Sequence, residues 1–175
     1  MAAKVIPREF TGDETTLKQR SQRIVAALSG LKITHAVGVP DNATRVIFEL
    51  LEETSEIQVV SVCREGEAWA IASGLWVGGK LPVVIIQNTG LLESGDGLRG
   101  TAIEMGVPLL ALMDYRGYHT LSQPNPDSAA SVFEPTLRAW QLPYYFLTDY
   151  REAQIIASAF KEACDLRRPV VVLIT

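Results

Sequence analysis

The chain has 175 residues, 47% of them hydrophobic and 21% charged, with a formal charge of −4 at pH 7. That length supports one domain with a sizeable core, and the acidic balance excludes the basic footprint that nucleic acid or an anionic membrane surface requires. No apolar run approaches the roughly 20 residues of a bilayer span, and two histidines exclude a His-rich metal site. The opening MAAKVIPREFTGDETT holds no apolar signal core, so residues 1–14 read as a loose arm on a cytoplasmic chain.

Residues 15–30, TTLKQRSQRIVAALSG, place Leu17, Ile24, Ala27 and Leu28 at helical spacing and stop at Gly30. ITHAVGV is a strand, with His35 expected to be a hydrogen-bonded structural residue. PDNATRVIFELLEE is a capped amphipathic helix. IQVVSV is the second strand and EAWAIASGLWVGG the next helix. PVVIIQ is a strand, LLESGDGLRGTAIEM a helix with an uncertain start, and VPLLALMD a strand. YRGYHTLSQPNPDS reads as a long polar loop; SVFEPTLRAW is a short helix and LPYYFL a strand. DYREAQIIASAFKEACDLR is a helix and PVVVLIT the last strand. Cys63 and Cys164 form no CxxC pattern and are expected as buried small hydrophobes rather than a disulfide.

Strands apolar throughout, alternating with helices, indicate a sheet covered on both faces. The expected architecture is α/β: a doubly wound three-layer sandwich with a six-stranded, mainly parallel sheet. Residues 15–175 form one domain in this reading, and a chain ending on its final strand leaves no room for a second.

Ligands of open parallel sheets collect beyond the carboxyl ends of the strands. Polar residues gather at four such ends: Val39-Pro40-Asp41-Asn42, Cys63-Arg64-Glu65, Gln87-Asn88-Thr89-Gly90 and Asp114-Tyr115-Arg116-Gly117. Neither GxGxxG after the first strand nor a GxxxxGK[ST] loop is present. A Gly95-Asp96-Gly97 triplet with Asn125 downstream has the residues of a magnesium–diphosphate signature. That signature needs its aspartate directly after a strand, whereas this triplet falls in or at the start of a helix, so the match is read as coincidence.

The hinge REGEAWAIASG differs. Two acids open a helix whose Ala68, Ala70, Ala72, Ser73 and Gly74 permit close approach by another surface. Acids at a helix start also complement its dipole, so a purely structural role for Glu65 and Glu67 stays open.

GVPDNATRVIFELLE, VCREGEAWAIASGLWVGGKLPVVIIQNTGLLESGDGL and GVPLLALMDYRG together resemble the pyrimidine-binding (PYR) domain of thiamine diphosphate enzymes. The likeness runs from about residue 15 to the end and is greatest to sulfopyruvate decarboxylase alpha subunits and phosphonopyruvate decarboxylases. Glu65 stands nine residues before Gly74, as the family's cofactor-activating glutamate does. The resemblance therefore implies that Glu65 is the catalytic, cofactor-binding acid, hydrogen-bonded to the aminopyrimidine ring nitrogen. A carboxyl group in a dry interface can share a proton with such a weak base. Glu67 is then a structural or interface charge, and Thr89 and Gly90 shape a turn beside the pyrimidine. Asp41, Asn42, Gln87, Asn88, Arg116 and His119 become candidate substrate contacts, the last two as cations for a sulfonate or phosphonate.

The resemblance also implies thiamine diphosphate as cofactor, with Mg²⁺ and the diphosphate held by a separate PP-domain beta subunit. The expected assembly is a hetero-oligomer, or a homodimer when the chain is isolated, acting on a small 2-oxo acid. Sulfopyruvate giving sulfoacetaldehyde and carbon dioxide is the leading reaction; phosphonopyruvate or another 2-oxo acid is the alternative. A noncatalytic binding module and a flavodoxin-like nucleotide-binding protein are the rival classes.

Overall fold

The computed structural model describes residues 14–54 and 56–175; the expected arm at residues 1–14 lies, but for the backbone of its last residue, outside them. Helix α1 (Glu14–Gly30) leads into β1 (His35–Gly38), α2 (Arg45–Glu53) and β2 (Gln58–Ser61). Helix α3 (Glu65–Val77), β3 (Pro82–Gln87) and α4 (Asn88–Asp96) follow. A wide π-helical turn (Gly97–Ile103) precedes β4 (Leu110–Asp114), and a short 3-10 turn (Tyr118–Ser122) precedes α5 (Ser128–Ala139). The chain closes with β5 (Tyr144–Leu147), α6 (Gln154–Leu166) and β6 (Val170–Ile174).

The six strands form one sheet in the order β2-β1-β3-β4-β6-β5, and every pairing is parallel. This is the expected doubly wound architecture, and its cause is visible along β3. Val83 and Ile85 point to one core, packed with Ile24 and Leu28 of α1, Ile47 of α2 and Ile156 of α6. Val84 and Ile86 point to the other, packed with Trp69 of α3, Leu91 of α4 and Phe133 of α5. A side-chain period of two feeds both layers at once, which is why the strand is apolar from Pro82 to Ile86 and polar only at its end.

Strands β1 and β3 lie side by side, but the chain leaves them toward opposite faces, to α2 and to α4. That divergence opens a crevice at their carboxyl ends. The close pairing there depends on Gly38, where a Cβ would stand 1.8 Å from the Ile85 carbonyl oxygen.

Three expectations change. Both cysteines are free but exposed rather than buried. Helix α4 starts at Asn88, so Thr89 and Gly90 belong to its first turn and not to a loop before it. The 115–128 stretch is no open connection. The Thr120 hydroxyl accepts the Asp127 N–H at 2.7 Å and donates to the Gly117 carbonyl at 2.7 Å, while Tyr118 packs 4.9 Å from the Tyr115 ring centre.

Candidate active site at the carboxyl edge of the sheet

Arg64 ends the β2–α3 connection in extended backbone, and Glu65 is the first residue of α3. Glu67 turns back to accept the N–H of Cys63, the residue before the helix N-cap, at 3.2 Å. That hydrogen bond gives Glu67 a structural contact. A second carboxylate, unanticipated from sequence, completes the junction. Glu93 of α4 accepts the Gly66 N–H at 2.9 Å and the Arg64 Nε–H at 2.8 Å, and also pairs with the Arg64 terminal nitrogen. The Gly66 N–H and the guanidinium together lower the Glu93 pKa below the usual carboxylate range. This latch ties the start of α3 to α4 and borders an open cleft of about 370 Å³ that Ala70 and the Gly97 turn also line.

Glu65 uses neither anchor. Its side chain lies across Gly90, where a Cβ would be 2.3 Å from Glu65 Cγ and 2.7 Å from Oε1. Among the described residues no hydrogen bond to the Glu65 carboxylate is present, although the groups around it are tied to one another. Glycine at position 90 is thus a cradle for an acid held at a helix start with its acceptor capacity unused. This arrangement fits a ligand that brings a weakly basic nitrogen to be protonated or hydrogen-bonded.

The other candidates divide. Asp41 Oδ1 accepts the Ala43 and Thr44 N–H groups at 2.7 and 2.8 Å, which builds the turn into α2, while Oδ2 is buried without a partner among the described residues. Asn42 is exposed beside it. Gln87 ends β3 in register with Asp114 of β4, and its Oε1 accepts the Thr89 hydroxyl at 2.9 Å. Asn88 is fully buried, its amide donating to the Arg116 carbonyl at 3.1 Å and its Oδ1 accepting the Thr89 N–H at 3.0 Å. Its polar atoms serve the backbone and position the loop that carries Arg116. The Arg116 side chain is exposed, and His119 is half-buried in the following 3-10 turn. The Gly95-Asp96-Gly97 triplet falls where α4 gives way to the π-helical turn, with Asp96 paired to Arg99 at 2.6 Å.

The edge also holds an acid that the sequence places at a polar strand end without giving it a role. Asp114 is half-buried, and its pKa is pushed up to about 6, first by burial and next by the Asp41 charge. Arg20, Gln87 and Arg116 work in the opposite direction. Arg20 itself is buried on α1, which lowers its pKa while the Asp114 charge raises it. The available signal was a lone acid ending an apolar strand; which neighbours it would meet depended on strand order.

Comparison with known proteins gives a consistent family. The family described as "Thiamine pyrophosphate enzyme, N-terminal TPP binding domain" matches residues 19–134, about two thirds of the chain. The chain is 32% identical over 94 residues to a phosphonopyruvate decarboxylase of Streptomyces viridochromogenes, covering 54% of this chain and 24% of that one. It is 29% identical over 97 residues to the sulfopyruvate decarboxylase subunit alpha of Methanothermobacter thermautotrophicus, covering 55% and 59%. To that of Methanococcus maripaludis it is 22% identical over 157 residues, covering 88% and 93%. The matched segment spans about a quarter of the phosphonopyruvate decarboxylases. With the parallel sheet, the Glu65–Gly90 cradle and a family match over most of its length, the chain belongs to the N-terminal TPP-binding domain family of thiamine pyrophosphate enzymes.

Proposed function

We propose that this chain is the pyrimidine-binding subunit of a two-subunit thiamine diphosphate-dependent 2-oxo acid decarboxylase, with sulfopyruvate as its leading substrate. The observation that carries the reading is the Glu65 carboxylate, set at the start of α3, seated on Gly90 and making no hydrogen bond among the described residues. Glu65 holds a proton against the aminopyrimidine ring nitrogen, a task that requires an acid whose acceptor capacity is not spent within its own chain. Bound thiamine diphosphate supplies an electron sink that lets carbon dioxide leave a 2-oxo acid. Gly90 admits the carboxylate, and the Thr89 hydroxyl steadies Gln87 through its Oε1. Arg116, Asn42 and His119 are the substrate-side groups of this reading, with Asn88 holding the Arg116 backbone.

Support for a partner comes from α3. Its inner residues Ala68, Trp69 and Ala72 are buried, yet the outward Ile71 and Val77 are 38% and 63% exposed, and Ala70 and Gly74 lie bare between them. A helix apolar on all sides belongs inside an interface. Relatives named as alpha subunits accord with a second chain, which in this reading holds the diphosphate and Mg²⁺. The test is coexpression with a PP-domain chain, addition of thiamine diphosphate and Mg²⁺, and a screen of 2-oxo acids for carbon dioxide release. Glu65→Gln lowers turnover by about 10²- to 10⁴-fold, the usual span of acid–base assistance, with an unchanged circular dichroism spectrum. Turnover by the variant at the wild-type rate removes Glu65 from this role.

A further inference from the structure

Arginine is not a capping residue, and Arg64 occupies the N-cap of α3 without a side-chain cap hydrogen bond. The first N–H groups of a helix have no partner within it. Here the missing acceptor comes from another helix: Glu93 of α4 takes the Gly66 N–H at 2.9 Å and the Arg64 Nε–H at 2.8 Å. Gly90 stands three positions earlier on α4, on the same side of the helix, and a Cβ there would be 2.3 Å from Glu65 Cγ. One turn of α4 therefore grips three consecutive residues. The Glu93 carboxylate holds Arg64 and Gly66, and the space at Gly90 holds Glu65. The far side is closed as well, since a Cβ at Gly97 would lie 3.1 Å from the Gly66 carbonyl oxygen.

Stability is a weak reason for this arrangement. The Arg64 and Glu93 side chains are 70% and 31% exposed, and exposed ion pairs add little to folding. What the contacts fix is position, on both sides of the one acid that makes no hydrogen bond of its own among the described residues. Misplacing a reacting group by about 1 Å can cost about 10²-fold in rate. We infer that Glu93 is a positioning residue for the proposed reaction: it caps α3 from α4 and so sets the Glu65 carboxylate where an aminopyrimidine nitrogen meets it. The inference rests on the proposed role of Glu65. Glu93 touches neither cofactor nor substrate in it, and acts through residue 65 alone.

The test is a double-mutant cycle in the coexpressed complex. It is scored by turnover and, independently of turnover, by the Kd of thiamine diphosphate with Mg²⁺ in isothermal titration calorimetry. Glu93→Ala lowers kcat by about 10- to 100-fold, while KM for the 2-oxo acid stays within about twofold because the substrate-side groups lie at other strand ends. The cofactor Kd rises about fivefold, the scale of one weakened hydrogen bond. Glu93→Gln keeps an acceptor for the Gly66 N–H and recovers most of both losses. In the Glu65→Ala background nothing is left to position, so adding Glu93→Ala costs nothing further in either quantity.

Wild-type kcat and cofactor Kd in Glu93→Ala overturn the inference. So does a loss that persists undiminished in the Glu65→Ala background, which makes Glu93 a structural support and nothing more. Turnover of Glu65→Ala at the wild-type rate is a different failure: it removes the role of Glu65, and the positioning role falls with it. If no 2-oxo acid is decarboxylated, the calorimetric cycle decides alone. Coupling between positions 65 and 93 in cofactor affinity then upholds the inference, and additivity refutes it.

Discussion

The catalytic acid of the proposed reaction depends on a hydrogen atom elsewhere. Gly90 has no side chain, and that vacancy is the volume occupied by the Glu65 stem. Adding one methyl group would place it 2.3 Å from Glu65 Cγ, inside any tolerable contact. Gly90→Ala is therefore expected to displace the carboxylate and to cost about 1–3 kcal/mol of stability, typical of overpacking. Thermal unfolding measures the stability loss, and turnover of the assembled enzyme should fall further than the modest unfolding explains. The same scale separates Glu65 from its neighbour. Glu67 returns to the Cys63 N–H and Glu93 to the Gly66 N–H, so each already has a structural occupation, while Glu65 has none among the described residues.

At the scale of elements, the site is a junction of two helix starts. Helix α3 begins at Glu65 and α4 at Asn88, and Glu93 spans from the second to the first. Removing that carboxylate leaves the Gly66 N–H and the Arg64 guanidinium to solvent. Because the pair is exposed and screened, Glu93→Ala is expected to cost only about 1 kcal/mol globally. Amide exchange at Gly66 should nevertheless accelerate about fivefold or more, since protection there reflects local opening. The lowered Glu93 pKa sets the pH behaviour of the latch: its contribution is present above the ordinary carboxylate pKa and is lost as pH falls through the lowered one. Unchanged Gly66 exchange in the variant would show that the latch is incidental.

At the scale of the whole molecule, the sheet brings four separate strand ends to one edge and leaves one apolar helix only half covered. The inner face of α3 fills the core with Trp69, and the outer face offers Ile71 and Val77 to solvent. If that face meets the partner proposed above, Val77→Glu should weaken assembly by at least about tenfold, as burying an unpaired charge in an interface does. The monomer's melting temperature should hardly change, because Val77 is exposed in the isolated chain. Analytical ultracentrifugation of the coexpressed pair decides this: undiminished assembly places the interface elsewhere.

Amino-acid sequence alone determined the layers, the alternation and the hinge acid. Apolar strands separated by amphipathic helices permit few arrangements other than a covered parallel sheet, and the family resemblance, carried by the Gly-Val-Pro, Arg-Glu and Gln-Asn-Thr-Gly segments, pointed to Glu65 nine residues before Gly74. Local periodicity is a short-range signal, however, and it is silent about which strands become neighbours. Only the tertiary structure set β3 beside β4, so that Gln87 meets Asp114, and only it brought α1 close enough for Arg20 to oppose that charge. It likewise turned Asn88 from a candidate substrate contact into a buried support for the Arg116 backbone, and it paired Arg64 with Glu93 across 29 positions of chain. The physical reason is the same in each case: desolvation and charge–charge coupling depend on distance in space, and chain order does not encode that distance until the fold has closed.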